Sequence, residues 1–207
     1  MTIIAICGQI GSGKDTAAEY LINNYGYHRE SFASTLKDSL SAIFGWDRIM
    51  LEGLTVTDRQ HREQVDEWWA ERLNIPQLSP RWVMQHWGTD VCRNSFHNDI
   101  WVASLENKLR KITENVVISD CRFPNELSTL KKINAKTIYV RRGKIPDWYD
   151  DAILANSGDS FAKLKLKNNG IHESEYSLIG QTFDYVIENN STIDDLYNNI
   201  FQIVKKI

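Results

Sequence analysis

Seven residues near the start of the chain have the types and spacing of a phosphate-binding loop. The segment from Gly8 to Lys14 reads GQIGSGK and fits the pattern GxxxxGK. Glycines let backbone N–H groups turn inward around phosphate oxygens, and the lysine adds a mobile positive charge. The residues predicted to bind the phosphates of a nucleotide are Gly8, Gly11, Ser12, Gly13, Lys14, Asp15 and Thr16.

The two residues after the lysine bear on metal binding. The common pattern has Ser or Thr directly after the lysine, where its hydroxyl contacts Mg²⁺. Here Asp15 comes first and Thr16 second, so the hydroxyl lies one place further along. We predict Thr16 as the magnesium ligand, with Asp15 acting through a water molecule as the alternative.

A second acidic segment has the features of a strand that ends at a ligand site. Residues 116–120 form an apolar run that ends in Asp120, a pattern typical of a buried parallel strand. Ligands bind at the carboxyl ends of such strands in open α/β sheets. Cys121 follows, where ATPase motors usually carry a water-activating Glu, and then Arg122, which can grip a phosphate with two hydrogen bonds. The absence of that Glu favours transfer of phosphate to a bound acceptor, with Asp120 and Arg122 at the site. The alternative for Arg122 is a solvated loop arginine with no role in the site.

These residues need a scaffold, and the chain supplies strands alternating with helices. Strand-like runs cover residues 2–7, 27–32, 116–120, 137–140 and 183–187. Apolar residues at helical spacing follow Lys14, Thr35, Pro80, Asp99, Pro124 and Ser191. The alternation predicts an α/β fold in which helices flank a mostly parallel sheet.

Several local features are also predicted. Residues 58–73 read as one helix, and the alternation of Lys and Leu over residues 163–167 reads as an exposed strand. The pairs predicted to cap helices are Thr35 with Asp38, Ser79 with Pro80, and Ser191 with Asp194.

Two long stretches interrupt the alternation, at residues 46–78 and 141–181. Loops of this length in a compact domain tend to cover functional sites. We interpret them as a substrate-binding excursion and a lid-like excursion from one domain that spans residues 1–207. Arg141 and Arg142 open the second stretch, where lid arginines act in phosphoryl transfer, although exposed surface charges are an equal alternative.

Composition excludes several other classes of protein. The 207 residues suffice for one hydrophobic core, and the net charge of −3 disfavours a nucleic-acid-binding surface. The early apolar run at residues 3–7 is too short for a secretory signal or a membrane span. Three cysteines without CxxC spacing argue against a disulfide framework and a zinc site, and favour a cytoplasmic location.

Seven segments, taken together, resemble the deoxynucleoside monophosphate kinases of tailed bacteriophages. They are residues 8–16 (GQIGSGKDT), 32–38 (FASTLKD), 81–90 (RWVMQHWGTD), 94–102 (NSFHNDIWV), 119–126 (SDCRFPNE), 139–143 (YVRRG) and 172–175 (HESE). The MQxxGTD and DxRFPNE blocks are more specific than the phosphate loop. The resemblance covers most of the chain and is weakest over residues 46–78.

The resemblance implies a three-layer P-loop kinase fold. It also implies an enzyme that uses Mg²⁺ and transfers the γ-phosphoryl group of ATP to a deoxynucleoside monophosphate. Phage relatives suggest a homodimer, and a phage-encoded enzyme would act in the host cytoplasm. From the net charge of −3 and the short apolar run at residues 3–7, we expect no binding to nucleic acid or membrane. The implied acceptor-binding residues are Lys37, Arg59, Arg81, Gly88, Thr89, Asp90, Trp101, Asp120 and Arg122. Trp101, or else Trp87, is expected to enforce a preference for deoxyribose by packing against the sugar; a buried core role is the alternative for Trp101.

Three other functions remain open at this point. One is a P-loop kinase whose acceptor is another small phosphorylated molecule. The second is a kinase of modified bases within DNA, and the third is a regulatory module that binds nucleotide without catalysis.

Overall fold

A computed structural model describes all 207 residues of the chain. The five strands are β1 Ile3–Cys7, β2 His28–Glu30, β3 Val116–Ile118, β4 Lys136–Arg141 and β5 Tyr185–Glu188. The α-helices are α1 Lys14–Tyr25, α2 Ser34–Phe44, α3 Val56–Glu63, α4 Glu67–Leu73, α5 Pro80–Gln85, α6 Ile100–Leu109, α7 Pro124–Lys132, α8 Tyr149–Asn156, α9 Ser160–Asn168, α10 Glu173–Tyr176 and α11 Ile193–Val204. A 3₁₀ turn spans Met50–Glu52, and a π-helix spans His86–Phe96.

The strands form a single parallel sheet in the order β2-β3-β1-β4-β5. In the centre, Ile4 of β1 lies opposite Val117 of β3 and Lys136 of β4. Every residue of β1 and β3 is buried, as expected where helices cover both faces of a parallel sheet. The predicted α/β fold with a parallel sheet is confirmed.

The chain divides into two compact units. The sheet unit comprises Met1–Ser31 and Ile112–Ile207, and the helical unit comprises Phe32–Lys111. In the sheet unit, buried residues of α1 and α11, such as Leu21 and Ile200, pack in one core cluster with residues of β1 and β4, such as Ile6 and Ile138. The stretch 141–181 belongs to the sheet unit, where α8 and α9 share a small core of their own around Ala152 and Leu166.

The helical unit has a core that is rich in aromatic rings. The rings of Phe44 and Trp46 stack with centroids 4.4 Å apart. The Nε1 of Trp46 donates to Oδ2 of Asp66 at 2.8 Å, and that of Trp69 donates to the carbonyl of Phe44 at 3.1 Å. The bond from Trp69 ties residues 46–78 to the end of α2, and Trp46, Leu51 and Leu78 are the buried apolar residues of this stretch.

Helix capping confirms one of the three predicted pairs. Ser79 accepts a hydrogen bond from the N–H of Trp82, and Pro80 occupies the first turn of α5. The other two predictions are wrong, because the side chains in question have other partners or lie one place away. Ser104 donates to Oγ1 of Thr35, Asp38 pairs with Arg48, and α11 is capped reciprocally by Thr192 with Asp195.

Two predicted elements also differ from the structure. Residues 58–73 form parts of two helices, because Asp66 accepts a hydrogen bond from Trp69 N–H and starts α4 afresh. Residues 163–167 lie in α9 and are not a strand. Asp159 caps this helix, and Ala162 and Leu166 are buried at a spacing of four. The segment therefore has one buried helical face, while its lysines are on the exposed side. None of the helices is long and apolar enough to cross a membrane.

Candidate functional site

The loop between β1 and α1 ends in Gly13, which has a φ of 98° and leaves α1 without a side-chain cap. The first N–H groups of a helix have no acceptor within that helix, and together with the helix dipole they attract an anion. Gly8 and Gly11 also have positive φ, at 150° and 75°. These positive φ angles are compatible with the predicted phosphate loop.

Two glycines of the loop are required by close packing as well as by φ. A Cβ atom on Gly8 would lie 2.4 Å from the carbonyl oxygen of Val140 and 2.5 Å from Oγ of Ser12. A Cβ atom on Gly13 would lie 2.4 Å from Nδ2 of Asn189. The loop is thus packed directly against the chain that follows β5 and against the end of β4.

Lys14 is buried in the loop, with 6% of its surface exposed, and its Nζ donates to the carbonyl of Gln9 at 3.1 Å. Burial lowers the pKa of Lys14; Asp15 opposes this shift and Arg122 adds to it. The buried hydroxyl of Ser12 has no hydrogen-bond partner. A cation bonded to a neutral carbonyl and an unpaired hydroxyl are groups that phosphate oxygens would satisfy.

The two candidate metal ligands differ in their surroundings. Asp15 is exposed, and its Oδ1 accepts a hydrogen bond from Oγ of Ser119 at 3.0 Å, just before Asp120. Thr16 is half-buried on the first turn of α1. The chain has no cluster of three or more His, Cys, Asp or Glu side chains that could hold a metal. A divalent ion here would need phosphate oxygens and water among its ligands, which is the usual coordination of Mg²⁺.

Arg122 follows β3 in a turn that a buried glutamate organises. Oε2 of Glu126 accepts hydrogen bonds from the N–H groups of Arg122 and Phe123, at 2.8 and 3.2 Å, and Glu126 is only 2% exposed. Nη1 of Arg122 lies 3.6 Å from Oε1 of Glu175, whose Oε2 accepts from the N–H of Ile10 at 3.3 Å. Glu175 therefore bridges Arg122 and the phosphate loop.

The two candidate lid arginines lie at the end of β4. Arg141 pairs with Glu188 of β5 across 3.1 Å, and Arg142 is exposed. The sheet unit thus brings together Lys14, Asp15 and Arg122, while Arg141 is held at the neighbouring strand end.

The remaining predicted residues lie in the helical unit, most of them in contacts with other side chains. Nζ of Lys37 lies 2.5 Å from Oε2 of Glu52, and Arg48 bridges Glu52 and Asp38. Burial would raise the pKa of Glu52, but hydrogen bonds from Lys37 and Arg48 hold it below its ordinary value. Lys37 therefore already has a carboxylate partner.

Arg59 and Arg81 are both exposed and make weaker or more local contacts. Nη1 of Arg59 donates to the carbonyls of Gly53 and Leu54, at 3.1 and 3.0 Å. Nε of Arg81 lies 3.9 Å from Oε1 of Glu63, which is a long exposed ion pair.

Gly88, Thr89 and Asp90 lie on the π-helix, which replaces the α-helix expected from their spacing. Nε1 of Trp101, a residue only 7% exposed, donates to the carbonyl of Gly88 at 2.9 Å. A Cβ atom on Gly88 would lie 2.9 Å from Cδ2 of Leu36, so a larger residue here would require the Leu36 side chain to move. Asp90 bonds to Nδ1 of His86 at 2.8 Å, within its own helix. π-Helical turns occur often at functional sites.

Comparison with known proteins shows the family to which the chain belongs. Residues 49–200 match the family model described as deoxynucleotide monophosphate kinase. The chain belongs to the deoxynucleotide monophosphate kinase family. The resemblance noted from the sequence is confirmed, and with it the prediction of a kinase.

Individual relatives of this kinase cover most of its length. A protein of Acanthamoeba polyphaga mimivirus is 29% identical over 219 aligned residues, covering 99% of this chain and 96% of its own. The deoxynucleoside-5′-monophosphate kinase of Escherichia phage T5 is 29% identical, covering 84% and 83%. The deoxynucleotide monophosphate kinase of Enterobacteria phage T4 is 23% identical, covering 99% of each chain.

A solved structure supports the P-loop kinase fold. Shikimate kinase from Aquifex aeolicus superposes with a TM-score of 0.50 and 12% identity, covering 99% of this chain and 97% of that chain. At this level of identity the likeness concerns the fold alone.

Three residues of the candidate site were not recognised in the sequence: Glu126, Glu175 and Asn189. Glu126 lies three residues after Phe123, a spacing that is typical of a residue bonding back to the start of its helix. Glu175 and Asn189 reach the phosphate loop from 165 and 177 residues away, so no local pattern indicates either contact.

Proposed function

We propose that this member of the family transfers the γ-phosphoryl group of ATP to the 5′-phosphate of a deoxynucleoside monophosphate, giving ADP and a deoxynucleoside diphosphate. The observation that carries the proposal is the buried Lys14, bonded to a neutral carbonyl in a glycine loop with an unpaired Ser12 hydroxyl. The family to which the chain belongs supplies the class of acceptor.

The residues of the sheet unit have roles that follow from charge. Phosphoryl transfer spreads negative charge over the oxygens of the transferred group, and the acceptor phosphate is already ionised, so no strong base is needed. We assign Lys14 to the β- and γ-phosphates of ATP and Arg122 to the phosphate that receives the group. Glu126 keeps the backbone of Arg122 in one conformation. We assign Arg141 and Arg142 to charge neutralisation during transfer.

Mg²⁺ fits the loop as an ion shared with the nucleotide. When bound, it neutralises charge on the β- and γ-phosphates. We propose Thr16 as its direct protein ligand and Asp15 as a ligand through water. The bond from Ser119 to Asp15, and the absence of a cluster of three or more protein ligands, support an ion held mainly by phosphate oxygens and water. Asp120 adds negative charge at the end of β3.

The helical unit is proposed to bind the acceptor nucleotide. Its proposed contact residues are Lys37, Arg59, Arg81, Gly88, Thr89, Asp90 and Trp101. The bond from Trp101 to Gly88 supports a role for this tryptophan in shaping the segment that carries Thr89. We also propose that its ring packs against the sugar and selects deoxyribose.

The partners of the kinase are proposed on narrower grounds. A net charge of −3 disfavours a surface that binds DNA. The viral sources of its relatives support action in the cytoplasm of an infected cell. We propose a homodimer by analogy with phage kinases.

The test is a screen of ATP consumption across deoxyribo- and ribonucleoside monophosphates, with dephospho-coenzyme A and duplex DNA as further acceptors. We expect ADP and deoxynucleoside diphosphate in equal amounts, with little ADP formed when no acceptor is present. Transfer only to a non-nucleotide acceptor would contradict the proposed function, and so would phosphorylation of DNA alone. Nucleotide binding without transfer to any acceptor would favour the regulatory module.

A further inference from the structure

A side chain at the far end of the chain holds the phosphate loop. Asn189 directly follows β5, and its Nδ2 donates a hydrogen bond of 2.8 Å to the carbonyl oxygen of Ser12. The same Nδ2 is the atom that a Cβ on Gly13 would approach to 2.4 Å. Asn189 therefore contacts the loop at the peptide that joins Ser12 to Gly13.

This contact determines the direction of one backbone N–H group. The carbonyl of Ser12 and the N–H of Gly13 belong to the same peptide unit, which is planar and trans. In a trans unit the two groups point in opposite directions. Because the carbonyl of Ser12 points toward Asn189 and accepts its hydrogen bond, the N–H of Gly13 points to the opposite side of the loop.

Asn189 is itself held firmly. Its own N–H donates to the carbonyl of Arg141 at 2.7 Å, which continues the pairing of β5 with β4. The next residue, Asn190, accepts a hydrogen bond of 2.7 Å from the N–H of Gly143. The half-buried amide of Asn189 thus projects from a segment that is bonded both to Arg141, the last residue of β4, and to Gly143, two residues beyond it.

The position of Gly13 explains why an external partner is useful. With a φ of 98° Gly13 adopts a conformation that it can leave at little cost, since glycine has many accessible backbone states. The hydroxyl of Ser12 does not restrain the peptide, because it has no hydrogen-bond partner. The bond from Asn189 and its packing against Gly13 restrict this freedom before nucleotide binds.

We propose that Asn189 is a positioning residue for ATP: by fixing the Ser12–Gly13 peptide, it presents the Gly13 N–H to a phosphate oxygen. It touches no reacting atom in this role. The inference rests on the proposed function of the loop and adds the residue that organises it in advance. Preorganised donors are worth more than mobile ones because no ordering is needed during the reaction.

The test compares two substitutions of adjacent residues that add the same charge. Asn189→Asp keeps the size of the side chain but removes the donor, so the carboxylate faces the Ser12 carbonyl. Asn190→Asp is the matched control, because its side-chain oxygen acts as an acceptor and can still accept from Gly143. Both proteins are assayed for kcat, for KM of ATP and of the acceptor, and for ATP binding without acceptor by calorimetry.

We expect Asn189→Asp to lower kcat/KM for ATP by about 10- to 100-fold relative to Asn190→Asp, as for other small displacements of a binding group. KM for the acceptor should change by less than about twofold, because uniform binding of that substrate is not affected. The N–H signal of Gly13 in glycine-labelled protein should shift in Asn189→Asp and hold its position in Asn190→Asp.

Equal ATP binding and equal kcat/KM for ATP in the two variants would overturn the proposal, and so would a change confined to the melting temperature. If Asn189→Asp does not fold, Asn189→Ala is compared with Asn190→Ala by the same measurements. A wild-type protein that binds ATP but transfers phosphate to no acceptor would overturn the proposed function, while the binding comparison would still test the role of Asn189.

Discussion

The sheet unit and the helical unit differ in which groups surround their charged residues: mainly backbone groups in the first and mainly other side chains in the second. In the sheet unit, the loop from Gly8 to Lys14 relies on backbone groups whose directions follow from glycine φ values and from the ends of parallel strands. In the helical unit, long side chains hold one another, through the network of Lys37, Glu52 and Arg48 and through stacked aromatic rings. A backbone site can be recognised from a short sequence, whereas a side-chain network cannot.

Lys14 of the sheet unit and Lys37 of the helical unit show the same difference in energetic terms. Lys14 is buried, and its ammonium group bonds to a carbonyl without a full negative charge. Lys37 is also largely buried, but its ammonium group contacts the carboxylate of Glu52. A bound phosphate would relieve the cost of burying Lys14, while at Lys37 it would have to compete with Glu52. The two positions should therefore respond differently to truncation.

The largest expected effect is that of Lys14→Ala. Removing a charge that acts most strongly in the transition state should lower kcat by about 100- to 1,000-fold. Lys37→Ala is the comparison, and we expect it to act mainly on KM for the acceptor. Steady-state kinetics with both substrates varied, on proteins shown to be folded by circular dichroism, provide the measurement. Near-native kcat in Lys14→Ala would show that the loop does not bind the transferred group.

Arg122→Lys should have the next largest effect, although it keeps the positive charge. Lysine cannot reproduce the planar grip of a guanidinium group on a phosphate. We expect a loss of about 10- to 100-fold in kcat/KM for the acceptor, as for a charged hydrogen bond worth about 1.5–3 kcal/mol. Arg110→Lys, at the exposed end of α6, is the control. Unchanged kcat and unchanged KM for both substrates would remove Arg122 from the site.

Trp101 tests whether the helical unit selects the sugar with a ring or only shapes its own backbone. Trp101→Phe keeps an aromatic ring but leaves the carbonyl of Gly88 without its donor, at a cost of about 1–3 kcal/mol in the free energy of unfolding. Trp101→Leu removes the ring as well. The measurement is chemical denaturation together with the ratio of kcat/KM for matched deoxyribo- and ribonucleoside monophosphates.

For both Trp101 variants we expect the stability loss, and for Trp101→Leu a lower preference for deoxyribose. A folded Trp101→Leu protein with an unchanged ratio would reject the ring as the selective wall. A wild-type ratio near one would reject the preference for deoxyribose itself.

The smallest effect concerns acid stability in the sheet unit. Oδ2 of Asp184 accepts hydrogen bonds of 2.7 Å from both the N–H and the hydroxyl of Thr137, at the start of β4. Burial alone would raise the pKa of Asp184, but these bonds lower it overall. A lowered folded-state pKa means that the unfolded chain binds the proton more readily. The stabilisation is therefore complete above the ordinary Asp pKa and is lost as the pH falls through the folded-state value.

Asp184 is exposed, so solvent screens this contact and reduces its contribution. Asp184→Asn should consequently lose about 0.2–1 kcal/mol at pH 7 and less at pH 3, so that the two stability curves converge in acid. Urea denaturation between pH 3 and pH 7 provides the comparison. Curves that stay parallel over this range would show that Asp184 makes no ionised contact of this kind.

Much of this kinase was predictable because the relevant interactions are local. The strand, glycine loop and helix at residues 3–25 are encoded by hydrophobic spacing and by glycines within one short segment. The start of α5 at Ser79 and Pro80 is likewise decided by neighbours in the chain. The parallel sheet followed from the alternation of strands and helices.

What the sequence did not reveal depends on contacts between distant residues. The lysines of α9 alternate as in a strand, yet burial of Ala162 and Leu166 makes the segment helical. The π-helix at His86–Phe96 contains Gly88, whose carbonyl accepts a hydrogen bond from Trp101. The break between α3 and α4 lies at Asp66, whose side chain accepts a hydrogen bond from the indole of Trp46.

The amino-acid sequence by itself determined the family, the parallel sheet and the phosphate loop, because each of these depends on residue types at fixed short spacing. Only the tertiary structure decided that Glu175 bridges Arg122 to the loop and that Asn189 fixes the Ser12–Gly13 peptide. The physical reason is that a hydrogen bond or an ion pair requires two groups to meet within about 3 to 4 Å. For residues that lie far apart in the chain, that meeting is decided by how the sheet and its helices pack.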